Sequence, residues 1–152
     1  MGFVRAVLHP ALWMLICIIV QCYAAWQEMF AWPKFAEDMV GLSSFLAAEG
    51  ASETLTTGMI EMTAKLGLNQ GFYNLFLAAG ILLFFVPMIA SAHRWAIAVF
   101  SLICMAAAGA FGLVTVPEPG TEGLHNAVSF AVQGVPPILA LVGLLLLRSS
   151  ER

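Results

Sequence analysis

Apolar residues run almost without interruption through four long stretches of the chain. No Asp, Glu, Lys or Arg occurs in these stretches, which cover residues 6–27, 66–93, 95–117 and 123–147. Each exceeds the roughly 20 residues that a helix needs to cross about 30 Å of hydrocarbon. Because the stretches are continuously apolar, they predict helices and not the alternating strands of a β-barrel. We therefore predict an all-α membrane protein, one domain folded as a four-transmembrane-helix bundle with spans at about 6–27, 66–92, 95–117 and 124–147.

The loop between the first two spans, residues 28–65, is long for a chain of 152 residues. Large apolar side chains recur in it at helical spacing in two groups, Phe35, Met39, Leu42 and Leu46, and then Leu55, Met59, Met62 and Leu66. Ser52 precedes the second group and can cap it, and the helix dipole favours Glu53 in its first turn. The pattern predicts two short amphipathic helices in this outer loop, separated near "EGAS".

Composition narrows the class of protein further. The chain is 61% hydrophobic and only 10% charged, a balance far from that of a soluble globular domain, so the lipid bilayer is the expected surrounding. The sequence contains no phosphate-binding loop, dinucleotide fingerprint or basic stripe, which excludes a nucleic-acid partner. Its three cysteines lack CxxC spacing and its three histidines are dispersed, so no metal site is predicted.

Positive charge is distributed unevenly between the two sides of the predicted bundle. One side holds all four arginines, Arg5, Arg94, Arg148 and Arg152. The other side holds only two lysines, Lys34 and Lys65, among eight acidic residues. Since Lys and Arg in short loops favour the cytoplasmic side, both termini are predicted to be cytoplasmic in a multi-pass protein of the inner membrane.

Hydrogen-bonding side chains gather at the outer end of the second span. Asn69, Gln70, Tyr73 and Asn74 fall within an arc of about 140° on a helix. Hydrocarbon offers such groups no partners, so we expect them to face the bundle or a water-filled pocket. The first and fourth spans add polar residues at the same depth. Together they form a predicted polar cluster of Glu28, Asn69, Gln70, Tyr73, Asn74, Ser129 and Gln133.

Two interpretations of the predicted polar cluster remain open. Amide and hydroxyl side chains often hold membrane helices together, which would make the cluster a packing device. Alternatively, it lines a small outward-facing pocket between the first, second and fourth spans. Glu28 would then exchange a proton or bind a cationic ligand. No catalytic residue is assigned, and an enzyme is the less favoured interpretation.

The third and fourth spans carry packing signals of their own. Pro136 and Pro137 remove backbone donors, which predicts a kink in the fourth span and partners supplied by amides of the second. Small residues recur at four-residue spacing in the third span, in the pairs Ala106 with Ala110 and Ala108 with Gly112. Packing within the bundle is the default reading of this helix-contact face, and contact with a second copy or a foreign helix is the alternative.

Three segments of the chain resemble a known family. "EMFAW" at 28–32, "NQGFYNLFLAAG" at 69–80 and "VQGVPPILAL" at 132–141 are similar to segments of small bacterial membrane proteins of the domain of unknown function 1304 family. The resemblance implies a four-helix inner-membrane protein without an established activity. It also implies a Glu-His pair in the first span, where this chain has Val20 and Gln21, and a shorter outer loop than residues 28–65 form here.

These departures favour a binding role over a reactive one. The hypothesis that we prefer is an accessory or structural subunit that docks on a larger membrane complex through its transmembrane and outer-loop surfaces. The alternative is a small-molecule binder, transporter or membrane enzyme that uses the outward-facing pocket. No cofactor is predicted, although a bundle of this kind can hold a lipid, quinone or pigment.

Overall fold

Four long helices make up most of the described chain. The computed structural model describes residues 9–32, 34, 46–50, 52–115 and 130–150. The helices are α1 (Pro10–Phe30), α2 (Glu53–Leu82), α3 (Ser91–Thr115) and α4 (Val135–Ser150), and a 3₁₀ turn, Leu83–Phe85, extends α2. In the described residues, four helical segments are long and apolar enough to cross a membrane. The predicted all-α, four-helix membrane architecture is confirmed.

The helices form a ring in which each contacts the next. α1 packs against α2 and α4, and α3 packs against the same two helices from the other side. With consecutive helices running in opposite directions, the start of α3 and the end of α4 lie at the same end of the bundle. We call this the arginine end, because it carries Arg94 and Arg148. Arg94 fastens the turn between α2 and α3, since its Nη1 donates to the carbonyl oxygen of Phe84 at 3.2 Å.

α2 begins much earlier than the sequence pattern predicts. Ser52 caps it as predicted, accepting a hydrogen bond from the backbone N–H of Leu55 at 3.3 Å. From that cap the helix continues without a break into the second span, so the predicted second loop helix is instead the first part of α2. Trp32 stabilises this extension, because its Nε1 donates to Thr63 Oγ1 at 3.1 Å. The first predicted loop helix lies outside the described residues except near Leu46.

The polypeptide breaks its helical path just before α4. Residues 130–133 are helical, a turn follows at Gly134, and α4 starts at Val135. Pro136 and Pro137 thus occupy the first turn of α4, where a helix needs no backbone donors. The helical path is thus interrupted beside the prolines, and a kink of the span there stays a prediction. The neighbour at the break is Gly109 of α3: a Cβ added there would lie 2.7 Å from the Cα of Gly134.

Two kinds of packing hold the bundle together. Toward the arginine end, all four helices contribute to an apolar core, formed by Met14, Cys17, Ile81, Ala98, Leu102, Met105, Ala140 and Leu144. Toward the opposite end, glycines bring backbones close together. Gly67 of α2 faces the ring of Trp32, and Gly71 faces Met29 and the carbonyl oxygen of Ala25. Such contacts matter because lipid tails are as apolar as Leu, so packing and not water exclusion drives membrane helices together.

The close contact between Gly109 and Gly134 predicts that a side chain at position 109 lowers the stability of the bundle. Gly109→Ala places a methyl group against backbone atoms, which cannot move as a flexible side chain does, and we expect it to lower the free energy of unfolding by about 1–3 kcal/mol. Gly58→Ala is the matched control, since nothing lies within 4 Å of a Cβ at that position. Thermal unfolding in detergent should show a lower midpoint for Gly109→Ala only. Equal midpoints for the two variants would contradict the proposed close contact.

Candidate functional site

A buried hydrogen bond joins α1 to α2 in the half of the bundle away from the arginine end. Asn74 Nδ2 donates to Glu28 Oε2 at 2.6 Å. Glu28 is only 7% exposed although it lies in a helix that can cross a membrane. A carboxyl group removed from water is costly unless a hydrogen-bond donor accompanies it, and Asn74 supplies that donor.

Glycine packing brings these two side chains together. Gly71 lies one turn before Asn74 on the same face of α2, and a Cβ at Gly71 would collide with Met29 and lie 3.0 Å from the carbonyl oxygen of Ala25. The absence of a side chain therefore lets the α1 and α2 backbones approach closely. At this separation the short Asn74 side chain reaches Glu28.

The rest of the predicted cluster on α2 lies elsewhere. Asn69, Gln70 and Tyr73 are all exposed on the surface of the chain, Tyr73 by 54%. The prediction that they share an inward face with Asn74 is contradicted, because the buried face of α2 is centred on Gly67 and Gly71. At 100° per residue, Asn69 and Tyr73 point about 160° and 120° away from Gly67.

The fourth span contributes less to this site than its sequence suggests. Gln133 is half-buried at the break before α4, where its carbonyl carbon lies 3.2 Å from the Cβ position of Gly109. It makes no hydrogen bond to Glu28 or Asn74. Ser129 lies outside the described residues. The amides of α2 therefore do not meet the proline break, and Asn74 donates to Glu28 instead.

The helix-contact face predicted on α3 also differs from the contact that forms. Ala106 is half-buried, and Ala108 and Ala110 are exposed. Gly112 belongs to α3, but its surroundings are not described. The close approach to α4 is made by Gly109, which lies between the two predicted pairs. A glycine allows closer contact between helices than an alanine does. Gly109 also faces Gly134, where the helical path is interrupted just before α4.

Sequence reasoning missed two buried polar residues, Gln21 on α1 and Ser101 on α3. Gln21 is 6% exposed, and its Oε1 has no hydrogen-bond partner among the described residues. It precedes Glu28 by seven residues, or about 10.5 Å along the same face of α1. The sequence feature that could have revealed Gln21 is an amide side chain in the middle of an apolar span. The Gly67-xxx-Gly71 spacing, typical of close membrane-helix contacts, was a second missed signal.

Side chains in this region can accept hydrogen bonds. Glu28 and Gln21 both present oxygen atoms along one buried face, and a donor such as water or an ammonium group complements them. In the described part of the chain, no cluster of three or more His, Cys, Asp or Glu side chains is placed to hold a metal ion. The Glu28–Asn74 contact is thus foremost an interhelical hydrogen bond.

Two identical substitutions on α2 separate the buried amide from an exposed one. Asn74→Leu removes the donor to Glu28 and leaves that carboxyl group buried without it, so we expect the free energy of unfolding to fall by about 1–3 kcal/mol. Asn69→Leu changes an exposed position and should leave the unfolding midpoint of the isolated protein nearly unchanged. Thermal unfolding in detergent measures both. Similar losses in the two variants would show that the buried contact has no special role.

Comparison with known proteins identifies a family but no individual relative. Neither curated proteins nor solved structures give a match to the chain. A protein family does match: its model, described as "Protein of unknown function (DUF1304)", covers residues 15–145 and so extends from α1 into α4. The chain therefore belongs to the DUF1304 family of proteins of unknown function.

Proposed function

We propose that this protein is an accessory subunit that docks on a larger membrane complex through the outer flank of α2. One observation carries the proposal: a stripe of large and polar side chains is exposed on α2, within a helical segment long and apolar enough to cross a membrane. We call it the α2 stripe, and its members are Met62, Leu66, Asn69, Tyr73 and Phe76.

The spacing of the α2 stripe is that of a helix-packing seam. Its members follow one another at intervals of four, three, four and three residues, the repeat by which two helices interlock. The inner face of α2 has the same spacing, shifted by five residues, from Gly67 to Ile81, and it is the face that packs within the bundle. α2 thus has one packing face within the bundle and a second, the α2 stripe, that is exposed.

The position of the α2 stripe along the helix makes its exposure to lipid unfavourable. Counted from Leu82 at the end of α2, Tyr73 lies about 14 Å and Asn69 about 20 Å along the helix, within a hydrocarbon layer of about 30 Å. Acyl chains give an amide or a phenol no hydrogen-bond partner. A transmembrane helix that presents hydrogen-bonding groups opposite Asn69 and Tyr73 would satisfy both.

α1 provides the contrast within the same molecule. Its exposed face also shows three- and four-residue spacing, in Leu12, Leu15, Ile19, Cys22 and Trp26. These groups suit lipid and require no partner. The phenol on that face, Tyr23, already has a partner, because Gln27 Nε2 donates to its oxygen at 2.6 Å. Docking is therefore supported by the polar members of the α2 stripe and not by exposed apolar area, which every membrane protein has.

The geometry gives less support to an outward-facing small-molecule pocket. That hypothesis required Asn69, Gln70 and Tyr73 to converge on Glu28, whereas all three are exposed on the flank of α2. Of the predicted cluster members that the structure describes, only Asn74 is hydrogen-bonded to Glu28. A binder, transporter or enzyme built on the whole predicted cluster is therefore the weaker proposal.

We also infer a bacterial inner-membrane location with cytoplasmic termini. Arg94 and Arg148 share one end of the bundle, and the positive-inside tendency assigns that end to the cytoplasm.

Docking through the α2 stripe is testable by purification in a gentle detergent with mass spectrometry. The wild-type protein should carry a stoichiometric membrane partner, and Asn69→Leu combined with Tyr73→Phe should lose it while unfolding at the same temperature. Leu15→Ala combined with Ile19→Ala on α1 is the control and should retain the partner. The proposal would be contradicted if the wild-type protein were recovered as a monomer without a partner. It would also be contradicted if the α2 variant retained the partner.

Orientation is testable with reporter fusions in a bacterial host. A green fluorescent protein fused after Arg152 should be fluorescent, and alkaline phosphatase at the same place should be inactive, because that enzyme needs the oxidising outer side. Phosphatase inserted in the loop between α1 and α2 should be active. The reverse pattern would overturn the assignment of the arginine end to the cytoplasm.

A further inference from the structure

An apolar groove runs along the outside of the bundle toward the arginine end. It lies between α3 and α4, is bordered by Phe84, and has a volume of about 810 Å³. Its walls are mostly aliphatic and aromatic, and Ile103 and Leu144 are among them. At one end the lining becomes polar, with Ser91 and Arg148. The groove is therefore amphipathic along its length.

The length of the groove matches one leaflet of a bilayer. Its lining on α3 extends from Ser91 to Ile103, which is about 18 Å along the helix axis. Half of a hydrocarbon layer of about 30 Å is about 15 Å. A single acyl chain that follows the groove would thus begin at the polar end and finish near the middle of the membrane.

A positive charge is held at the polar end. The guanidinium carbon of Arg148 lies 4.5 Å from the centre of the Trp95 ring, and both residues line the groove. Stacking on an aromatic face orients the planar guanidinium while leaving its N–H edge able to bind an acceptor. Arg binds phosphate through paired hydrogen bonds, so the charge complements an anionic headgroup.

We propose that this groove binds an anionic phospholipid, with one acyl chain between α3 and α4 and the phosphate at Arg148. Charge and length together select this occupant. A zwitterionic lipid would fill the same apolar walls but carries no net charge to favour the guanidinium, and a neutral isoprenoid would leave Arg148 without a counter-charge. The site is separate from the α2 stripe and does not depend on docking there.

Trp95 reports directly on the occupant of the groove. The full-length protein is reconstituted in phosphatidylcholine vesicles that contain phosphatidylglycerol or phosphatidylcholine brominated on the acyl chains, at equal mole fraction. Bromine quenches nearby indoles, and subtraction of the signal of Trp95→Phe isolates Trp95 from the other tryptophans. Brominated phosphatidylglycerol should quench Trp95 more strongly than brominated phosphatidylcholine does.

Two variants connect this preference to the groove. Arg148→Gln should reduce the preference for phosphatidylglycerol about fivefold, which corresponds to about 1 kcal/mol for one basic side chain near an anionic lipid surface. Ala96→Phe, which narrows the groove without changing its charge, should weaken quenching by both lipids. Arg148→Lys is the charge-preserving control and should keep most of the preference. Unfolding midpoints verify that each variant is folded.

Three results would overturn the proposal. The first is equal quenching of Trp95 by the two brominated lipids in the wild-type protein, which needs no variant. The second is a phosphatidylglycerol preference that Arg148→Gln leaves intact. The third is recovery of a neutral isoprenoid, and not an anionic phospholipid, when the purified protein is released from detergent in a mass spectrometer.

Discussion

The cost of leaving a polar group in hydrocarbon without a hydrogen-bond partner is the constraint on which this structure depends. Backbone groups meet it within the four helices, but side chains need neighbours. Glu28 meets it through Asn74, at 2.6 Å across the α1–α2 contact. This bond and the close contacts of Gly67 and Gly71 together set the rotation of α2 relative to α1. Any turn of α2 that brought Asn69 or Tyr73 inward would move Asn74 away from Glu28 and leave a buried carboxyl group without its donor.

Glycine contacts make that arrangement reachable. Gly71 allows α1 and α2 to approach until an asparagine side chain spans the gap, and Gly109 does the same for α3 against the break at Gly134. The larger side chains of the apolar core lie toward the arginine end, so the bundle is held by side-chain packing at one end and by close backbone contact at the other. In lipid both act through packing, since neither end gains much from excluding water.

The bundle has two exposed surfaces of different character. The α2 stripe presents amide and phenol groups that lipid cannot satisfy, which is the physical basis of the proposed docking. The groove between α3 and α4 presents apolar walls and one cation, which suit an anionic lipid. We propose that the first surface binds a protein partner and that the second binds a lipid.

Local pattern alone determined the helical membrane architecture, the cap at Ser52 and the break near Pro136, because each depends on hydropathy or on neighbours within a few residues. Pattern could not show that α2 continues back to Glu53, since a helix on the membrane surface and a helix that enters the membrane share the same spacing. Nor could the pattern show that Asn74 faces α1 while the equally polar Asn69, five residues earlier, does not. The tertiary structure made that choice: Gly67 and Gly71 set which face of α2 meets α1, and rotation of a helix about its axis depends on contacts between residues far apart in the chain.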